Sequence, residues 1–114
     1  MLTIRKDQMD RLAQEGLVTR LRGFLNEAFP LSREVPVAEM NAALRRQLQQ
    51  CGRYGLVTER QASIYTISAW LLGEHFDEEH QGAAEILTSA DDPDLKMQRL
   101  EDWTLILLRT LEGG

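Results

Sequence analysis

Residues 58–73 read TERQASIYTISAWLLG, and both ends of this stretch carry helix punctuation. Thr58-Glu59-Arg60-Gln61 fits a capping box: the Thr58 hydroxyl oxygen accepts from the backbone N–H of Gln61, while the Gln61 side chain reaches back to the N–H of Thr58. Gly73 supplies the stop, since glycine takes the left-handed conformation that closes a helix. Between them, Ala62, Ile64, Tyr65, Ile67, Ser68, Leu71 and Leu72 spread apolar groups around much of the helix circumference. A helix that is apolar all round belongs in an interior. The pattern predicts a central, buried helix from Glu59 to Leu72.

The segments on either side are punctuated in the same way. From about Arg5 to Phe29, Met9, Leu12, Ala13, Val18, Leu21, Leu25 and Ala28 recur in three- and four-residue steps, as one face of a helix requires. Gly16 and Gly23 each weaken that helix by about 1 kcal/mol relative to alanine, and Pro30 ends it. Pro36 suits the start of a second helix, because its missing N–H would be unbonded there. Val37, Met40, Asn41, Leu44, Leu48 and Cys51 line its stripe to about Tyr54, with Gly52 or Gly55 as the closing residue. Gly82 to Ala90 reads as a short helix bearing Ala83, Ala84, Ile86 and Leu87. Asp92-Pro93 begins the last, with Asp92 as N-cap and Asp94 beside the positive end of the helix dipole. Leu95, Leu100, Trp103, Leu107, Leu108 and Leu111 supply its core face. Strand signals are nearly absent. The expectation is an all-α single domain over residues 1–114, a compact bundle of four longer helices and one short one.

Composition agrees with that class. The chain has 114 residues, 43% hydrophobic and 27% charged, enough to bury one core without staples. No apolar run approaches the roughly 20 residues that cross a bilayer, so no membrane role is expected. The opening MLTIRKDQMD is charged within five residues and has no apolar h-region, so no signal peptide is expected and the location is read as cytoplasmic. Cys51 is the single cysteine and is read as a small buried apolar residue. Residues 1–57 carry nine Lys/Arg against six Asp/Glu, whereas residues 58–114 carry four against twelve. Phosphate binding needs a dominant basic face, so nucleic acid is not the expected partner. The asymmetry suits a protein partner with a basic patch as well as it suits solvated helix faces.

The densest chemistry lies in GEHFDEEH, residues 73–80, which holds both histidines and four carboxylates. Histidines five apart sit about 140° apart around a helix, and the metal-binding H-E-x-x-H pattern needs four. A loop gathering His75, Asp77 and His80 would still lack a further ligand and the groups that orient it. Glu74, Asp77, Glu78, Glu79, Glu101 and Asp102 are the candidate acid–base pairs, but nearness in sequence does not provide the unequal environments such pairs need. No serine, nor Cys51, sits in a nucleophile elbow, and no Gly-rich phosphate loop is present. No catalytic residue, cofactor or metal is therefore expected. The stretch instead reads as a helix stop followed by a loop that folds Phe76 onto the bundle while its charged neighbours face water. Phe76, Tyr54, Tyr65, Trp70 and Trp103 read as core aromatics, with Trp70 or Tyr54 the alternative exposed anchors.

Five segments together resemble a family of small bacterial proteins: LTIRKDQM at the start, Phe29-Pro30, RYGLVTERQASIY at 53–65, LLGEHFD at 71–77 and AAEIL at 83–87. That family is encoded beside type VI secretion effectors, in clusters with PAAR spike-tip proteins and effector-loading adaptors. In it, the segment after Phe-Asp continues Asp-Pro and reaches a Trp-Ala pair before Ile-Leu; here Glu78-Glu79 and Gly82-Ala83 occupy those places. The resemblance implies a non-catalytic cytoplasmic accessory, a co-chaperone or adaptor that binds a secreted effector or the effector's loading chaperone. An immunity protein that blocks a cognate toxin is the alternative, and a small metal-dependent enzyme centred on His75 and His80 is the second. A homodimer stays open. The acidic stretch with its neighbouring tryptophan is the expected contact face, comprising Trp70, Glu74, Phe76, Asp77, Glu78 and Glu79.

Overall fold

A computed structural model describes the backbone of residues 6–113 and the side chains of residues 13–111. Every regular element among them is helical, in the order α1 (Lys6–Ala28), a 3-10 turn (Pro30–Glu34), α2 (Val37–Arg53), α3 (Glu59–Leu72), α4 (Phe76–Glu79), α5 (Gln81–Thr88) and α6 (Pro93–Gly113). The all-α class holds, with four longer helices and the short α5 at the expected places. Two short pieces are additional: the 3-10 turn after Pro30, and the single turn α4 inside the stretch expected to be a loop. The chain packs as two compact units, Met1–Arg46 and Gln47–Gly114.

In the first unit, α1 runs unbroken through Gly16 and Gly23 and buries Val18, Leu21 and Leu25, a three-then-four spacing that puts all three on one stripe. Ala13 and Ala28, expected on that stripe, are exposed, and the side chains of Met9 and Leu12 lie outside those described. The N–H of Phe29 still donates to the Leu25 carbonyl at 2.7 Å; beyond it Pro30 opens the 3-10 turn. Ser32 is buried there and donates to Asn26 Oδ1 at 2.6 Å. The Pro36 carbonyl accepts from Met40 N–H at 2.9 Å, which places Pro36 just ahead of the first turn of α2. Arg22 donates to Asn41 Oδ1 at 2.6 Å, and the Arg45 guanidinium grips both oxygens of Glu15 at 2.7 and 2.9 Å. That fork raises the Arg45 pKa and lowers that of Glu15, but both groups are in water and the pair contributes little stability.

The second unit takes in the end of α2, which closes in a Schellman turn. Leu56 N–H donates to Cys51 O at 2.9 Å and Gly55 N–H to Gly52 O at 3.2 Å. Gly55, at φ 75°, is the left-handed residue, while Gly52 stays helical. Cys51 and Leu56, the positions that flank such a turn with apolar groups, are both buried. The Thr58 capping box forms as expected, and the buried Gln61 extends it. Its Oε1 accepts from the N–H groups of Thr58 and Val57, and its Nε2 donates to Asp94 Oδ1 at 2.8 Å in the first turn of α6. Ser68 Oγ lies 3.5 Å from Thr104 Oγ1. Contacts that climb both helices together mean that α3 and α6 run parallel. Asp92 caps α6 through the Asp94 N–H at 3.1 Å.

The core of this unit gathers Ala62, Tyr65 and Ala69 of α3, Phe76, Ala83, Leu87, and Met97 and Leu100 of α6. Lys96 is also buried, and its ammonium donates to the carbonyls of Leu87 at 3.1 Å and Tyr54 at 3.4 Å. Those carbonyls close α5 and α2, so one cation caps two helix C-termini where the dipole favours positive charge. Leu95 and Leu111, expected on the core face of α6, are exposed; Leu100 is buried as expected, and Met97 and Thr104 join it on the inward stripe.

Candidate functional site

The histidine-rich stretch lies in the second unit, directly after α3. Gly73, at φ 110°, ends α3, and its carbonyl accepts from Phe76 N–H at 3.1 Å. The chain then makes one helical turn, with the N–H groups of Glu78 and Glu79 both on the His75 carbonyl at 3.0 Å. This turn buries Phe76 completely against Tyr65, with ring centroids 5.0 Å apart, and Tyr65 in turn lies 6.2 Å from Tyr54. Phe76 folds inward as expected, but Asp77 follows it. It is 3% exposed, where the sequence suggested a carboxylate in water. The reason is a partner from far along the chain: Tyr54 Oη donates to Asp77 Oδ2 at 2.7 Å, which offsets the cost of burying the charge.

Burial, with Asp77 behind it, sets the state of the phenols around this turn. Burial, the Asp77 hydrogen bond and its negative charge push Tyr54 up to about 12. Burial pushes Tyr65 still higher, aided by the Asp77 charge. Burial likewise pushes the Cys51 thiol up to about 12. At neutral pH all three are protonated, so none is a base or a ready nucleophile. His75 is exposed, and His80 sets its ring edge-on to Trp103 at 5.6 Å. No group of three or more His, Cys, Asp or Glu among the described residues is arranged to hold a metal ion.

The six expected contact residues are thus divided. Phe76 and Asp77 belong to the interior and present nothing to a partner, Trp70 and Glu74 are half-buried, and Glu78 and Glu79 are exposed. Sequence reasoning put Asp77 in water because a charge-rich run normally faces solvent, and counted Phe76 in the contact face although it was expected to fold onto the bundle. A single turn of helix instead aims adjacent residues 76 and 77 inward.

A groove in the same unit was not singled out in the sequence. Ile64, Ile67, Ser68 and Leu71 of α3, spaced i, i+3, i+4 and i+7, form one wall of an open groove of about 110 Å³; Glu101, Thr104 and Leu105 of α6, spaced i, i+3 and i+4, form the other. Leu71 is 36% and Leu105 48% exposed. Ser68 donates its hydroxyl hydrogen to the Ile64 carbonyl at 3.0 Å, so its polar atom is satisfied and the groove surface is mostly apolar. Helix α3 therefore has two apolar faces. Ala62, Tyr65 and Ala69 point to the core, while Ile64, Ile67 and Leu71 border the groove. The circumferential apolar pattern that predicted full burial was the signal for this second face. None of the six expected contact residues lines it.

No family model, curated protein or solved structure matches the chain. No helix among the described residues is long and apolar enough to cross a membrane.

Proposed function

We propose that this chain is a non-catalytic accessory that works by binding another protein, with the α3–α6 groove as its contact surface. The observation that carries this reading is the open groove itself, which aliphatic side chains at helical spacing line from two helices, leaving Leu71 and Leu105 exposed. Contiguous exposed apolar surface rimmed by polar residues is the kind of face on which partners dock. The partner in this reading is a type VI secretion effector or its loading chaperone, and the protein acts in the cytoplasm. Support for that identity comes from the sequence segments at 53–65, 71–77 and 83–87.

A second reading, an immunity protein that blocks a toxin, is favoured by one feature: twelve Asp/Glu against four Lys/Arg over residues 58–114, a complement for a basic cleft. Co-expression with the neighbour-encoded effector separates the two. An accessory raises the soluble yield of the effector and is required for its export, whereas an immunity protein restores growth to cells making the toxin. If this chain elutes as a lone species in the presence of both effector and adaptor, neither reading stands.

A further inference from the structure

We infer that the α3–α6 groove receives an amphipathic α-helix whose polar face is basic, supplied by the partner protein. The inference rests on the protein-binding reading and names the chemistry of the partner. Geometry selects a helix. Two parallel helices present lining residues in i, i+3, i+4 register, and the furrow between them fits apolar side chains repeating every three to four residues on a third helix. Size argues against a small molecule. At about 110 Å³ the groove is well under the roughly 300–1,000 Å³ that cofactor-sized ligands occupy, yet it accepts one or two side chains.

Charge selects the sign. Among the described residues, Glu101 is the one charged residue lining the groove. The unit that holds it, Gln47–Gly114, carries twelve Asp/Glu against five Lys/Arg. Of those five, Lys96 is buried on backbone carbonyls and Arg99 is held by Asp91 at 2.6 Å. Arg60, four residues before Ile64 on α3, and Arg109, four residues after Leu105 on α6, place one positive charge at each end, against twelve carboxylates across the unit. A second copy of this chain would bring acid against acid, which disfavours it, while a helix with Lys and Arg flanking its apolar stripe meets complementary charge.

The test uses the full chain and synthetic helical peptides of about 18 residues, or five turns. One has leucine on a single i, i+3, i+4, i+7 stripe with lysine elsewhere, a second replaces every lysine by glutamate, and a third scrambles the leucine/lysine order to destroy the stripe. Binding is read by fluorescence anisotropy at about 0.15 M salt, where long-range attraction is screened within about 8 Å. The lysine stripe peptide is expected to bind at least ~10-fold more tightly than the other two, a difference of about 1.4 kcal/mol. Leu105→Asp should weaken it by a similar factor, and Glu101→Lys should move the preference toward the glutamate peptide. Both positions are exposed, circular dichroism checks that each variant folds, and Leu105→Ala serves as a milder third variant.

Equal binding of the three peptides overturns the inference. So does a lysine peptide whose affinity ignores both substitutions, or a dimer in sedimentation that Leu105→Asp disperses, which would make a second copy the occupant. If an effector complex forms but survives both substitutions, this inference falls and the protein-binding reading stands. Peptide capture in the groove without any effector complex supports the inference and removes the secretion effector as the source of the helix.

Discussion

The turn at Phe76-Asp77 and the groove between α3 and α6 lie in the same compact unit, and they invert what their residues suggest. The turn is rich in acids and histidines, yet its aromatic ring and one carboxylate are sealed inside, held by Tyr65 and by the Tyr54 hydroxyl. The groove is made of isoleucines and leucines that ordinarily mark a core, yet Leu71 and Leu105 stand half-exposed. Chemical variety along the chain therefore says little about which residues meet a partner. What decides it is how many neighbours the fold sets around each side chain, which depends on elements distant in sequence.

The largest expected effect lies at the sealed turn. Phe76→Ala removes a fully buried ring from its contact with Tyr65 and should cost about 3–5 kcal/mol in urea unfolding. A loss under 1 kcal/mol would show that the turn is as open as the groove. Next comes the cation that joins two helix ends. Lys96→Met keeps the stem but leaves the Leu87 and Tyr54 carbonyls without their charged donor, at an expected cost of about 1.5–3 kcal/mol.

Alkaline titration probes the sealed side without mutation. Cys51, Tyr54 and Tyr65 all have raised pKa values, so the folded chain favours their protonated forms. The stability this confers is whole below the ordinary values of 9.0 for the thiol and 10.0 for the phenols. It is then lost as pH climbs toward the folded values near 12 for Cys51 and Tyr54. The urea midpoint should hold steady from about pH 7 to pH 8 and fall from about pH 9 upward; a midpoint flat through pH 11 would contradict the burial of these groups.

The smallest effect belongs to the groove. Leu105→Ala should change stability by no more than about 0.5 kcal/mol, because the side chain is already 48% exposed. A loss near that of Phe76→Ala would mean Leu105 belongs to the core and would close the comparison.

Most helix ends were legible because their signals are local. The Thr58–Gln61 box, the Gly55 turn, Pro30, Asp92 and Gly73 each act through hydrogen bonds or backbone geometry within a few residues, and each operates at its expected place. The single turn α4 was missed because four residues carry too little periodicity to separate a helical turn from a loop. Lys96 went unnoticed for a different reason: a lysine on an amphipathic helix ordinarily reaches water. Its burial follows from carbonyls nine and forty-two positions away.

By itself, then, the sequence determined an all-α chain, where its longer helices begin and end, and the acidic bias of its second half, since these depend on neighbouring residues and on composition. Only the tertiary structure decided that α3 and α6 run side by side in the same direction, that Asp77 turns inward to Tyr54, and that the second apolar face of α3 borders an open groove. Each of these joins residues separated by more than twenty positions, and no local propensity specifies which distant partner a helix face will meet.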